Sequence, residues 1–267
     1  MSEIAVHFDS AGTGVPLVLL PAFPLDGRMW RTTQAEMDGW ILTVDPPGFG
    51  DSASPRALAS RLGVSAEPSL GSYARGIAAA LDELGVERAA FAGCSMGGYT
   101  IMAFAQLFPE RIAGVGLVGT KSAADTDEQR EARYRMAEFF SGAGPHLHHL
   151  TPLLENVVSA DTRMHHEDVY GALASWFEQA PAAGVAWAQR AMAARSDGTA
   201  ALAALDVPAV VIRGTQDALS SLDDARVMAD ALGVTVHEIQ GAGHLAPIEA
   251  PRRVAFLLEE MWQRAQG

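Results

Sequence analysis

The sequence predicts an α/β fold: a mostly parallel central sheet with helices on both faces and a helical insertion. Three observations predict it. Short runs rich in Val, Ile and Leu alternate with helical stretches, the rhythm of strands joined by crossover helices. The runs show little polar alternation, so both faces of each strand are expected to be buried. The rhythm stops between 122 and 205, where Ala, Met and aromatic residues recur without a convincing strand.

In chain order, strands are expected at Pro16–Pro21, Trp40–Asp45, Arg88–Gly93, Gly114–Gly119, Pro208–Arg213 and Thr235–Ile239, with an antiparallel start near Ile4–Phe8. Helices are expected near Arg28–Met37, Gly71–Leu84, Gly97–Phe108, Leu222–Leu232 and Pro251–Gln266. The stretch 122–205 carries Tyr134, Phe139, Phe140, Tyr170, Trp176, Phe177 and Trp187, and reads as short helices forming a cap. The expected organisation is therefore a core from 1–121 and 206–267, with the cap at 122–205 between its parts. A parallel sheet offers its ligand site at the carboxyl ends of its strands. The loops leaving those ends are where chemistry is sought.

Bulk properties exclude several function classes. The chain has 267 residues, of which 49% are hydrophobic and 19% charged, enough apolar surface for a sizeable core. Its 19 basic and 32 acidic residues give a formal charge of −13. Nucleic acid and anionic membrane surfaces both need clustered cations, so neither is an expected partner. Cys94 stands alone, which excludes an intrachain disulfide and a thiolate metal site. His146, His148 and His149 lie in a Pro-flanked loop without acidic or Cys partners, and are not read as a metal centre. The first residues lack the pattern of a signal peptide and no apolar run approaches the length of a spanning helix, so a soluble, cytoplasmic protein is expected.

The strongest chemical signal is Gly93-Cys94-Ser95-Met96-Gly97, set between an apolar run and an apolar helical stretch. This is the G-x-S-x-G nucleophile elbow in the strand–turn–helix setting that it requires. A sharp turn pushes the Ser95 hydroxyl outward, and the flanking glycines let chain segments approach closely. The helix that follows points the Met96 N–H at any oxyanion formed there. Cys94 reads as a small packing residue.

A serine hydroxyl needs a base to take its proton, and the base needs an orienting carboxylate. Asp217 follows the run ending at Arg213, and His244 follows Gly243 in a glycine-rich loop before the last helix. Asp217 is also compatible with a turn or capping role, and Asp223 or Asp224 with capping the next helix. The other histidines, among them His7, His165, His166 and His237, have no comparable placement.

With these residues in view, the chain resembles the α/β-hydrolase superfamily along nearly its whole length. The resemblance rests on residues 93–97, on Asp217 and His244, on the Asp45–Ser52 turn and on Leu19–Gly27. It implies a catalytic triad of Ser95, His244 and Asp217. It also implies that Phe23 donates the second oxyanion N–H beside Met96, from a turn that in the family usually reads His-Gly-x-Pro. Here Pro21-Ala22 replaces His-Gly: Pro21 has no N–H, and Ala22 tolerates positive φ less well than glycine. Segment 45–52 reads as structural.

The expected activity is cleavage of a small carboxylic ester, lactone or thioester through an acyl-enzyme, with no cofactor and no metal. Alternatives on the same residues are a cofactor-free haloperoxidase or perhydrolase, suggested by Phe23–Gly27 with Trp30, and a C–C bond hydrolase. A small-molecule receptor is the non-enzymatic alternative. Phe23 and Trp30 are each read either as lining the substrate site or as core packing. Oligomeric state is left open.

Overall fold

The computed structural model describes residues 3–8, 12–142 and 149–267. Seven strands form one sheet: β1 (Val6–His7), β2 (Leu17–Leu20), β3 (Ile41–Val44), β4 (Ala89–Cys94), β5 (Ile112–Val118), β6 (Ala209–Gly214) and β7 (Val236–Ile239). Their order is β1-β3-β2-β4-β5-β6-β7. All pairings are parallel except that of β1 with β3. Every residue of β2, β3, β4 and β5 is buried, because helices cover both faces. Register brings the strand ends level: Leu20 pairs with Gly93, Cys94 with Val118, Val118 with Ile212, and Gly214 with Ile239. The loops leaving these ends are thereby gathered along one edge.

The first part of the core carries α1 (Arg31–Gln34), α2 (Pro55–Leu62), α3 (Leu70–Glu83) and α4 (Met96–Leu107). The helix anticipated over 28–37 is shorter than expected. A 3-10 turn at Gly27–Trp30, capped by the Asp26 carboxylate, leads into α1, which ends at Gln34. Helix α2 was not anticipated, although Ser54 caps it and Pro55 occupies its first turn.

No strand interrupts the described residues between β5 and β6. That interval holds α5 (Asp127–Ser141), α6 (Thr151–Val157), α7 (Ala160–His165), α8 (Glu167–Glu178), α9 (Ala182–Ala193) and α10 (Thr199–Ala203). A buried charge cluster anchors this insertion. Asp125 pairs with Arg195 at 2.7 Å and with Arg133, and Lys121 stands 3.5 Å away. Burial alone would raise the Asp125 pKa, but the hydrogen bonds and charges of Arg195 and Arg133 outweigh it and pull it down to about 2. The Arg195 guanidinium also lies over the Tyr99 ring of α4 at 4.1 Å. One side chain thus ties the insertion to the helix behind the elbow.

The chain closes with α11 (Leu222–Leu232), α12 (Ala246–Glu249) and α13 (Pro251–Arg264). Val254, Leu257, Leu258, Met261 and Trp262 form the buried stripe of α13, at the spacing of one helix face. No helix among the described residues is long and apolar enough to cross a membrane.

Candidate active site

Ser95 sits between β4 and α4 with φ 50° and ψ −111°, the only non-glycine positive φ among the described residues. Such strain persists only where the surroundings impose it, and here they do. The Ser95 N–H donates to the Val118 carbonyl at 3.0 Å, and its own carbonyl accepts from the Thr120 hydroxyl at 2.8 Å. A Cβ on Gly93 would come within 2.4 Å of the Gly97 backbone, and one on Gly97 within 2.3 Å of the Leu20 carbonyl. No side chain larger than hydrogen fits at either position, so the elbow packs directly against the end of β2.

Asp217 and His244 are both buried and meet as a pair. His244 Nδ1 lies 3.0 Å from each Asp217 oxygen. The remaining capacity of the carboxylate is filled locally. Oδ1 accepts the Leu219 and Ser220 N–H groups at 2.8 and 3.0 Å, and Oδ2 accepts the Ser220 hydroxyl. Burial pushes the Asp217 pKa up, yet the His244 hydrogen bond and charge, with the Ser220 and Leu219 bonds, leave it below the ordinary value. Asp224, by contrast, closes the capping box of α11 with Ser221, and Asp223 pairs with Arg226 on the surface. Their side chains are committed elsewhere.

Gly119 brings the elements together. It follows β5, whose Val118 carbonyl holds Ser95, and a Cβ there would stand 2.7 Å from the His244 carbonyl and 3.2 Å from Asp217 Oδ2. The Cys94 thiol, fully buried, reaches the His244 carbonyl at 3.7 Å. Burial, then the Asp217 charge, pushes that thiol well above its usual pKa, which suits a packing residue rather than a nucleophile.

On the other side of the elbow lies the turn 21–24. Ala22 takes no positive φ, so the loss of glycine there introduces no strain. Its N–H donates to the Met29 sulfur at 3.0 Å, and its carbonyl accepts from Leu25 at 2.8 Å. Met29 therefore braces a turn whose usual histidine is absent. Among the described residues the Phe23 and Met96 N–H groups have no protein acceptor. Phe23 is half-buried, and Met96 opens α4, where an N–H is unsatisfied by helix geometry.

Trp30 is fully buried, with an indole N–H that has no partner among the described residues. Of its two readings, burial supports core packing. A cavity of about 800 Å³ opens between the turn after β2 and α8, lined by Leu25, Arg28, Phe49, Trp176 and Gln179. It borders Pro24 but does not reach Ser95, Met96 or His244.

The described residues contain one His and acid cluster within metal-ligand reach, His7, Asp45 and Asp51, with ligand atoms within 4.8 Å of one another. Asp45 already accepts the Gly27 N–H, the Asp51 N–H and a bond from His7, so it organises the turn 45–52. His146 and His148 of the sequence-level histidine group lie outside the described residues. The residues that sequence reasoning missed are Ser220, Met29 and Glu249. Ser220 carried a faint signal, three residues beyond Asp217. Glu249 carried none, because its partners Gly243, Ser159 and Thr162 include residues up to 90 positions away.

A family model described as the α/β hydrolase fold matches residues 15–251. A 2-hydroxy-6-oxononadienedioate/2-hydroxy-6-oxononatrienedioate hydrolase of Burkholderia vietnamiensis is 34% identical over 125 residues, a match covering 44% of this chain and 41% of that relative. The chain thus spans under half the length of that relative. The 3-oxoadipate enol-lactonase 1 of Acinetobacter baylyi is 24% identical over 94% of this chain and 89% of its own. In three dimensions, a thermophilic esterase of Thermogutta terrifontis superposes with a TM-score of 0.88 at 30% identity, covering 99% of this chain and 94% of the esterase.

Proposed function

The chain belongs to the α/β-hydrolase fold family, and from that premise we propose that it is a serine hydrolase of small carboxylic esters, lactones or thioesters. The observation that carries the reading is the buried Asp217–His244 pair at 3.0 Å, packed against Gly119 just after β5, the strand whose Val118 carbonyl holds the strained Ser95 elbow. In this reading His244 takes the Ser95 proton as the hydroxyl attacks the substrate carbonyl. Asp217 holds the imidazole by Nδ1 and stabilises the imidazolium. The unbonded N–H groups of Phe23 and Met96 receive the oxyanion. His244 then protonates the leaving group, and water releases the acid by the reverse route. Helices of 122–205 serve as the cap over this edge. The proposed chemistry runs on these side chains and backbone N–H groups, without a cofactor or metal.

Hydrolysis of p-nitrophenyl esters of rising chain length, compared with Ser95→Ala, tests this. Wild type is expected to turn over the short esters, with activity lost in the variant. Equal rates in both proteins would refute the assignment. A second reading, C–C bond hydrolysis on the same groups, draws on the Burkholderia relative named for a dienedioate substrate. A vinylogous 1,5-diketone acid offered beside the esters separates the two, since only a C–C hydrolase releases its dienoate.

A further inference from the structure

We propose that Glu249 is a positioning residue that fixes the His244 loop to the helical insertion. The inference rests on the function proposed above. Glu249 Oε1 accepts the N–H of Gly243, the residue before His244, at 2.9 Å. Its Oε2 accepts the Ser159 N–H at 2.8 Å and the Thr162 hydroxyl at 2.7 Å, the N-cap and the first turn of α7. One carboxylate therefore holds the loop on one oxygen and the insertion on the other.

The tie is reinforced from three directions. The Leu245 N–H, on the far side of His244, donates to the Val157 carbonyl at 2.9 Å. The Ala160 N–H donates to the Gln216 side chain at 3.2 Å, beside Asp217. Gly243 is pressed so close to the insertion that a Cβ there would lie 2.6 Å from the Ser159 nitrogen. Ser159 and Thr162 are both buried, so their groups have no water to turn to if the carboxylate is lost. Residues 157–162 thus bond to both loops that bear the His244–Asp217 pair. Their position and that of the imidazole become one variable. A shift of about 1 Å in a positioning contact is enough to cost up to about a hundredfold in rate.

The test is a double-mutant cycle on hydrolysis of p-nitrophenyl acetate, with fluorophosphonate labelling of Ser95 and thermal unfolding recorded for each protein. Glu249→Gln keeps one acceptor oxygen and cannot serve both sides. It is expected to lower kcat and the labelling rate about tenfold with KM changed less than twofold. Thr162→Val is expected to cost about threefold and remains informative if Glu249→Gln folds poorly. Because both act through one tie, the pair together should cost about as much as Glu249→Gln alone. Wild-type labelling in Glu249→Gln, or losses that multiply, would overturn the proposal. Loss of turnover in Ser95→Ala beside an unaffected Glu249→Gln defeats this inference alone. Retained turnover in Ser95→Ala defeats the proposed function itself.

Discussion

The two sides of the Ser95 elbow are built on opposite plans. On the His244 side the carboxylate is filled: Asp217 takes bonds from His244, Leu219 and Ser220, and the surrounding loop is tied down by Glu249 and Val157. Towards the turn 21–24, the N–H groups of Phe23 and of Met96 at the start of α4 have no protein acceptor among the described residues, while Ala22 is held by Met29. A saturated carboxylate holds a charge that is already there. Unbonded donors suit a charge that would arrive only with the proposed reaction. Under the proposed function the contrast is a division of work: one side would orient and stabilise a cation, the other would receive an anion.

Ser95→Ala should lower kcat by about 10⁶-fold, as removal of the group on which both sides act, measured by p-nitrophenyl ester turnover. Asp217→Asn should cost about 10⁴-fold in kcat at neutral pH, because the amide favours the wrong His244 tautomer. Loss of only a few fold would mean that the saturated side is structural. Ser220→Ala removes one of the bonds that depress the Asp217 pKa. The carboxylate then protonates at a higher pH, and kcat in the ester assay should fall about tenfold.

Asp125 offers a control: a charged cluster that holds shape without chemistry. Its folded pKa of about 2 lies below the unfolded value, so its contribution is present above about pH 4 and is lost as pH falls towards 2. Asp125→Asn should lower stability at pH 7 by on the order of 2 kcal/mol, seen in urea unfolding, with the deficit shrinking as the buffer approaches pH 2. A deficit independent of pH would show that packing, not charge, anchors the insertion. The smallest effect is expected for Met29→Leu, which keeps the volume and removes the sulfur that braces Ala22. About threefold in kcat, with KM unchanged, is expected from the ester assay.

The legible part of this molecule is the local part. Ser95 announces itself because glycines, strand and helix within a few residues all serve one turn. His244 and Asp217 announce themselves by following strands whose ends the parallel register brings level. The helix at Pro55–Leu62, with its Ser54 cap and Pro55 start, is not legible because eight residues are fewer than the window over which a helical period stands out. Trp30 stood near the site in sequence, and its place in the core is decided by packing that no spacing reveals. Glu249 is the extreme case. It lies five residues from His244 on a plain helical turn, and its partner Ser159 stands 90 positions away in the sequence.

The central claim is that Ser95 is the activated nucleophile between these two sides. Intact-mass analysis after exposure to a fluorophosphonate tests it most directly. A single adduct that maps to Ser95 is expected in the wild type, and it should disappear in Ser95→Ala. An unmodified wild type, or an adduct that persists in Ser95→Ala, would contradict it.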